Sequence, residues 1–137
     1  MSSKFSGYRN NKTPVVLLSG NMGTLDASSE IRGSLNALHW KFKEVQGVYK
    51  GDSEVCFVIP VTQDVQLRAL KSLAKHFKQE SILWLDADRN AKLIDLKNNT
   101  DLLLGRLESF TQSQFNMLND SLKENYTFDG SYYYIAV

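Results

Sequence analysis

The chain has 137 residues, 42% hydrophobic and 23% charged, which fits one domain with a sizeable core and excludes intrinsic disorder. Sixteen basic against fifteen acidic residues leave a formal charge of +1. That near-balance argues against nucleic-acid binding by phosphate neutralisation, and equally against an acidic DNA mimic. A single cysteine, Cys56, forms no internal disulfide and suits a reducing compartment. Apolar runs such as Val15–Leu18 are too short to span a bilayer, and Met1–Lys12 lacks the apolar stretch of a signal peptide. A cytoplasmic protein is expected, with neither membrane nor nucleic acid as partner.

Residues 1–13 are polar and read as a flexible tail; residues 14–137 read as one domain. Val15–Ser19 follows Pro14 and precedes Gly20-Asn21-Met22-Gly23, the pattern of a buried strand and a turn. Thr24 or Asp26 can cap the next helix. Ile31, Leu35, Leu38, Phe42 and Val45 recur at steps of four and three, which predicts one helical face ended by Gly47. Gly33 inside it points to close packing. Val48–Lys50 and Glu54–Ile59 read as a hairpin around Gly51-Asp52-Ser53. In its second strand Glu54, Cys56 and Val58 share one face.

Thr62 is a candidate cap for a second helix over Asp64–Lys78, with Leu67, Leu70, Ala74 and Phe77 as its apolar stripe. Ser81–Asp86 and Ala91–Leu96 read as strands joined by a turn. Phe115, Leu118 and Leu122 point to a short helix, and Tyr132–Val137 to a terminal strand. The order β-α-β-β-α-β predicts an α+β, ferredoxin-like sandwich: two helices on one face of an antiparallel sheet, plus a C-terminal extension. The other face, carrying Cys56 and Val58, is left uncovered and calls for a partner, most simply a second copy.

Few residues carry chemistry. His39 and His76 fall in helices without ligands at metal spacing, so neither a metal site nor a Ser-His-Asp arrangement is indicated. Gly20-Asn21-Met22-Gly23 is not a phosphate loop. Cys56, in mid-strand, reads as a small buried hydrophobe. Asp86 and Asp88 are explained by turn chemistry. Tyr49 and Glu54 flank the hairpin turn and bring a phenol and a carboxylate to one end of the sheet. The Ser19-Gly20-Asn21 turn is a candidate source of backbone donors there. A ring face and a carboxylate are what a sulfonium or ammonium ligand requires.

Several segments, taken in order, resemble the phage S-adenosylmethionine-cleaving enzymes, long called hydrolases and better described as lyases. Val15–Asn21 resembles the first strand and small-residue turn of that family. Gly47-Val48-Tyr49 resembles the segment bearing its site tyrosine, and Glu54–Val58 the strand opening with its key glutamate. Leu67–Leu85, Arg106-Leu107 with Phe110, and Tyr126–Gly130 before a Tyr-rich strand are also similar. The resemblance implies a PII-like homotrimer with substrate held between subunits, and no cofactor or metal. It implies cleavage of S-adenosylmethionine to methylthioadenosine and homoserine lactone, which depletes the methyl donor used by host restriction–modification systems. Glu54 and Tyr49 are then the catalytic candidates, and Ser19, Gly20 and Asn21 the substrate-binding ones. Phe128 and Tyr132–Tyr134 are candidates for holding adenine. Competing readings are a non-enzymatic ligand- or protein-binding module of the same fold, and a hydrolase that yields homoserine directly.

Overall fold

The structure, a computed structural model, describes residues 13–22 and 25–137. The expected tail, Thr13 apart, and the candidate cap Thr24 lie outside the described residues. Chain order runs β1 (Val15–Ser19), β2 (Asn21–Met22), β3 (Leu25–Asp26), α1 (Ser28–Ala37), β4 (Lys43–Tyr49), β5 (Asp52–Pro60), α2 (Asp64–His76) and β6 (Ser81–Leu85). It continues with β7 (Asn90–Asp95), β8 (Thr100–Phe110), α3 (Gln112–Asn116), a 3-10 turn (Asp120–Lys123), β9 (Tyr126–Phe128) and β10 (Tyr133–Ala136). Among these, no helix is long and apolar enough to cross a membrane.

The fold is a closed antiparallel barrel in the order β1-β5-β4-β9-β10-β8-β7-β6, not the expected ferredoxin-like, PII-like sandwich. The four strands assigned to that sandwich do lie side by side, as β6-β1-β5-β4. The C-terminal strands overturn the open sheet: β7, β8, β10 and β9 join its two outer edges. An open sheet would leave two strand edges and one apolar face bare, and closure removes both liabilities.

Strand alternation separates two cores. Val16, Leu18, Phe57 and Ile59 point outward beneath Ile31 and Leu35 of α1 and Leu70 and Ala74 of α2. Val15, Leu17, Cys56 and Val58 point into the barrel, where Leu85, Ala91, Leu107 and Tyr134 meet them. The face expected to be bare is therefore covered by the chain itself, and its call for a second copy falls away.

The first helix is shorter than its spacing predicts. It stops at Ala37, and Phe42 and Val45 lie beyond it. His39 adopts φ 61°, while the Trp40 N–H donates to Leu35 O (2.9 Å) and the His39 N–H to Asn36 O (3.1 Å). This is a Schellman stop with histidine in the position glycine usually fills. Gly33 is exposed, and a Cβ there would meet nothing within 4 Å, so the expected close packing is absent. At the α2 start, Gln63 is the cap and forms a capping box with Gln66. Thr62 instead donates to Gln66 Oε1 through its N–H (2.7 Å).

The β4–β5 hairpin turns on Lys50 and Gly51, at φ 51° and 85°. Positive φ at both centres matches the twist of the flanking strands. Farther along, Asp129 is almost fully buried: Oδ1 accepts from the N–H groups of Ser131 (2.9 Å) and Tyr132 (2.8 Å), and Oδ2 from the Tyr134 hydroxyl (2.9 Å). Outside the barrel, Phe115 of α3 stacks on Tyr133 with ring centroids 4.0 Å apart and planes 12° from parallel.

Candidate active site

The Ser19 end of the barrel gathers the polar residues. Ser19 stands opposite Cys56 across β1–β5, and Gly47 opposite Glu54 across β4–β5. Alternation puts Ser19, Gly47, Tyr49, Glu54 and Cys56 on the inward side of the wall. Deeper positions on these strands, Leu17, Val45 and Val58, are core. Glu54 thus sits where the apolar interior gives way to the barrel mouth.

Three neutral donors converge on its carboxylate. The Ser19 hydroxyl donates to Oε2 at 2.9 Å and the Asn21 side-chain amide to the same oxygen at 3.2 Å. The Cys56 thiol donates to Oε1 at 3.7 Å. The Asn21 N–H in turn donates to Ser19 Oγ at 3.0 Å, which fixes the turn after β1. Among the described residues the ion pairs are Arg32–Glu44 and Arg106–Glu108. Glu54 is in neither, so its negative charge is held by hydrogen bonds and offset by no cation among the described residues. A half-buried carboxylate in this condition attracts a positively charged ligand.

Burial pushes the Cys56 thiol up from its ordinary value, and the neighbouring Glu54 charge and hydrogen bond push it further. Cys56 therefore stays a thiol and a donor, the opposite of an activated nucleophile.

The structure brings Ser19, Asn21 and Glu54 together, but Ser19 and Asn21 face the carboxylate as its supports. Gly20 is committed elsewhere. Its N–H donates to Val55 O (2.6 Å), its carbonyl accepts from Ala27 N–H (2.8 Å), and a Cβ there would lie 2.7 Å from Val55 O. Tyr49 shares the inward side with Glu54 and stands opposite Asp52. It is 56% exposed, with the Lys50 ammonium 5.3 Å from its ring centroid, and no hydrogen bond joins it to Glu54. The aromatic candidates for adenine are engaged in packing: Tyr134 on Asp129, Tyr133 on Phe115, and Phe128 on Tyr133 at 4.5 Å.

Two participants escape sequence reasoning. Cys56 carries a partial signal, since alternation puts it on the Glu54 face. Gln79 carries none, because it follows α2 in an irregular segment. Its Nε2 donates to Ser19 O at 2.6 Å and to Asn21 O at 3.3 Å. Its Oε1 is buried without a hydrogen-bond partner among the described residues, a burden of about 1–3 kcal/mol. His39 and His76 are both exposed, at the ends of α1 and α2, and neither touches this cluster. Among the described residues no group of three or more His, Cys, Asp or Glu gathers that could hold a metal ion.

The profile of the S-adenosylmethionine lyase family matches residues 4–136, nearly the whole chain. The chain belongs to the S-adenosylmethionine lyase family. It is an enzyme, and S-adenosylmethionine is its substrate. No curated protein matches it. Family membership removes the reading of a non-enzymatic binding module. It also gives the uncompensated carboxylate a chemical counterpart, because the substrate carries a sulfonium and an ammonium.

Proposed function

We propose that the enzyme converts S-adenosylmethionine to methylthioadenosine and homoserine lactone, with Glu54 anchoring the methionine end of the substrate. The observation that carries this reading is the Glu54 carboxylate, held by Ser19, Asn21 and Cys56 and paired with no cation among the described residues.

The reaction needs little from the protein beyond shape and charge. A carboxylate oxygen of the substrate attacks the methionine carbon bonded to sulfur. The carbon–oxygen bond forms as the carbon–sulfur bond breaks, and the bonding pair goes to sulfur, which leaves as a neutral thioether. The lactone keeps its ammonium, so the net charge is +1 before and after, no proton moves and no water is consumed. Holding the nucleophile and carbon about 3–3.5 Å apart supplies much of the acceleration.

The charge changes decide which substrate cation Glu54 should hold. The sulfonium loses its charge in the transition state, so an anion against it would favour the ground state and oppose reaction. The ammonium keeps its charge throughout, and an anion against it orients the chain at no such penalty. Glu54 therefore pairs with the ammonium. Tyr49, at the rim of the same side, orders the pocket.

Assembly into a homotrimer is part of this reading. Its support in the fold is Leu102, Leu103 and Leu104, which are 59%, 61% and 41% exposed. They lie on the half of β8 that, among the described residues, pairs with β7 alone. Three consecutive exposed leucines beside an open strand edge favour burial against another copy. The biological use in keeping with the reading is depletion of the host's methyl donor by a phage, as a defence against restriction.

Incubation with S-adenosylmethionine in ¹⁸O-labelled water tests the chemistry. Chromatography is expected to show methylthioadenosine, and fresh co-product is expected to be lactone without label. Labelled homoserine as the first product would establish hydrolysis and overturn the intramolecular route.

A further inference from the structure

We infer that Gln79 is a positioning residue for the Glu54 carboxylate, acting through the turn between β1 and β2. The inference rests on the reading of Glu54 as the substrate's anchor. Neither the spacing of the sequence nor family membership singles Gln79 out; its contacts do.

The chain of contacts is short and each link is polar. Helix α2 ends in a Schellman stop: Lys78 adopts φ 57°, the Lys78 N–H donates to Lys75 O (2.9 Å) and the Gln79 N–H to Ala74 O (3.0 Å). The backbone of Gln79 is thus fixed to a helix whose Leu70 and Ala74 are buried in the outer core. From there its amide reaches the carbonyls of both residues that support Glu54, Ser19 O at 2.6 Å and Asn21 O at 3.3 Å. Ser19 and Asn21 then direct their side chains onto Glu54 Oε2. One amide therefore ties the backbone of both supports to a rigid helix end.

Gln79 Oε1, without a partner among the described residues, separates this role from simple filling. An apolar side chain of similar length would fill the space without burying an unmet acceptor. A glutamine there makes sense for its donor, and the donor is spent on the turn that aims Ser19 and Asn21. Without it the turn gains freedom, Glu54 loses its fixed orientation, and the substrate ammonium is held off the reactive geometry. The burden falls on turnover, since small misplacements cost rate steeply.

The test uses the full chain and the variants Gln79→Met, Asn21→Ala, their double variant and Gln79→Glu. Gln79→Met is expected to lower kcat by about tenfold or more, with KM changed less. In the Asn21→Ala background the same substitution is expected to cost a smaller factor in kcat, because one of the two supports that Gln79 positions is already gone. Equal losses in both backgrounds, or full kcat in Gln79→Met, would overturn the inference. Gln79→Glu supplies an independent reading: its introduced carboxyl donates only when protonated, so its kcat relative to the unaltered chain is expected to rise as pH falls. A flat ratio counts against the inference.

Hydrogen exchange of the Asn21 backbone and side-chain amides, read by NMR, gives an outcome that needs no turnover. Gln79→Met or Gln79→Glu is expected to speed their exchange, and unchanged exchange overturns the inference. Glu54→Gln with undiminished turnover would instead overturn the anchor reading, which keeps the two failures distinct.

Discussion

Gly47 lies opposite Glu54 on the neighbouring strand, and a Cβ added at Gly47 would come within 2.5 Å of Cys56 Sγ and 3.6 Å of Glu54 Cγ. The space a side chain would fill at position 47 is the space the thiol uses to reach the carboxylate. Gly47→Ala is therefore expected to drive the thiol off Glu54. Overpacking of this kind costs about 1–3 kcal/mol. Thermal unfolding should show that loss, and the methylthioadenosine assay should show a fall in turnover in the fraction that folds.

Gly33 is the opposite case. It lies in α1, exposed, with open space where a Cβ would sit. Gly33→Ala is expected to stabilise the chain by about 0.5–1 kcal/mol, the difference in helix propensity. Turnover should not change. Chemical denaturation reads the gain directly, and a loss of stability would show that α1 needs the glycine.

Cys56 makes stability depend on alkaline pH. Burial first, then the Glu54 charge, raise its thiol in the folded state above the ordinary value near 9.0. Below that value both folded and unfolded chains carry the proton, and the full stability is present. Above it the unfolded chain releases the proton while the folded chain keeps it, so stability falls as pH rises, with a limiting slope of about 1.4 kcal/mol per pH unit. The difference between the unaltered chain and Cys56→Ala, followed by denaturation from pH 8 to 10, isolates this term. A pH-independent difference would contradict it.

Assembly is tested at the leucines of β8. Leu103→Asp places a charge in the exposed run Leu102–Leu104. Sedimentation is expected to show the unaltered chain as a trimer and the variant shifted toward monomer. A variant sedimenting like the unaltered chain would place the contact elsewhere.

β1, β5, β6, β7, β10 and α2 match their sequence reading to within two residues at either end, because their apolar periods are undisturbed and their turns hold Gly, Asp and Asn. Most of β4 reads as helix, and β8 and β9 do not read as strands. The sequence misled at α1. Leu38, Phe42 and Val45 continue the helical spacing across a stop built on His39, and no glycine or proline marks the break. Barrel closure was equally hidden. Nothing local in β8 or β10 announces that Leu107 and Tyr134 fill the space opposite Cys56 and Val58; that is a long-range pairing, and an open sheet has the same local pattern. Ser19, Asn21 and Glu54 were legible because strand ends and alternation put them together. Their mutual hydrogen bonds were not, and neither was Gln79, whose role depends on where α2 stops.

The most direct test of the anchor is Glu54→Gln, assayed for methylthioadenosine from S-adenosylmethionine. The substitution keeps shape and acceptor and removes the charge. Losing a charge-assisted contact of about 1.5–3 kcal/mol predicts a fall in kcat/KM of about ten- to a hundredfold, with the fold and its assembly retained. A folded variant that produces methylthioadenosine as fast as the unaltered chain would contradict the account.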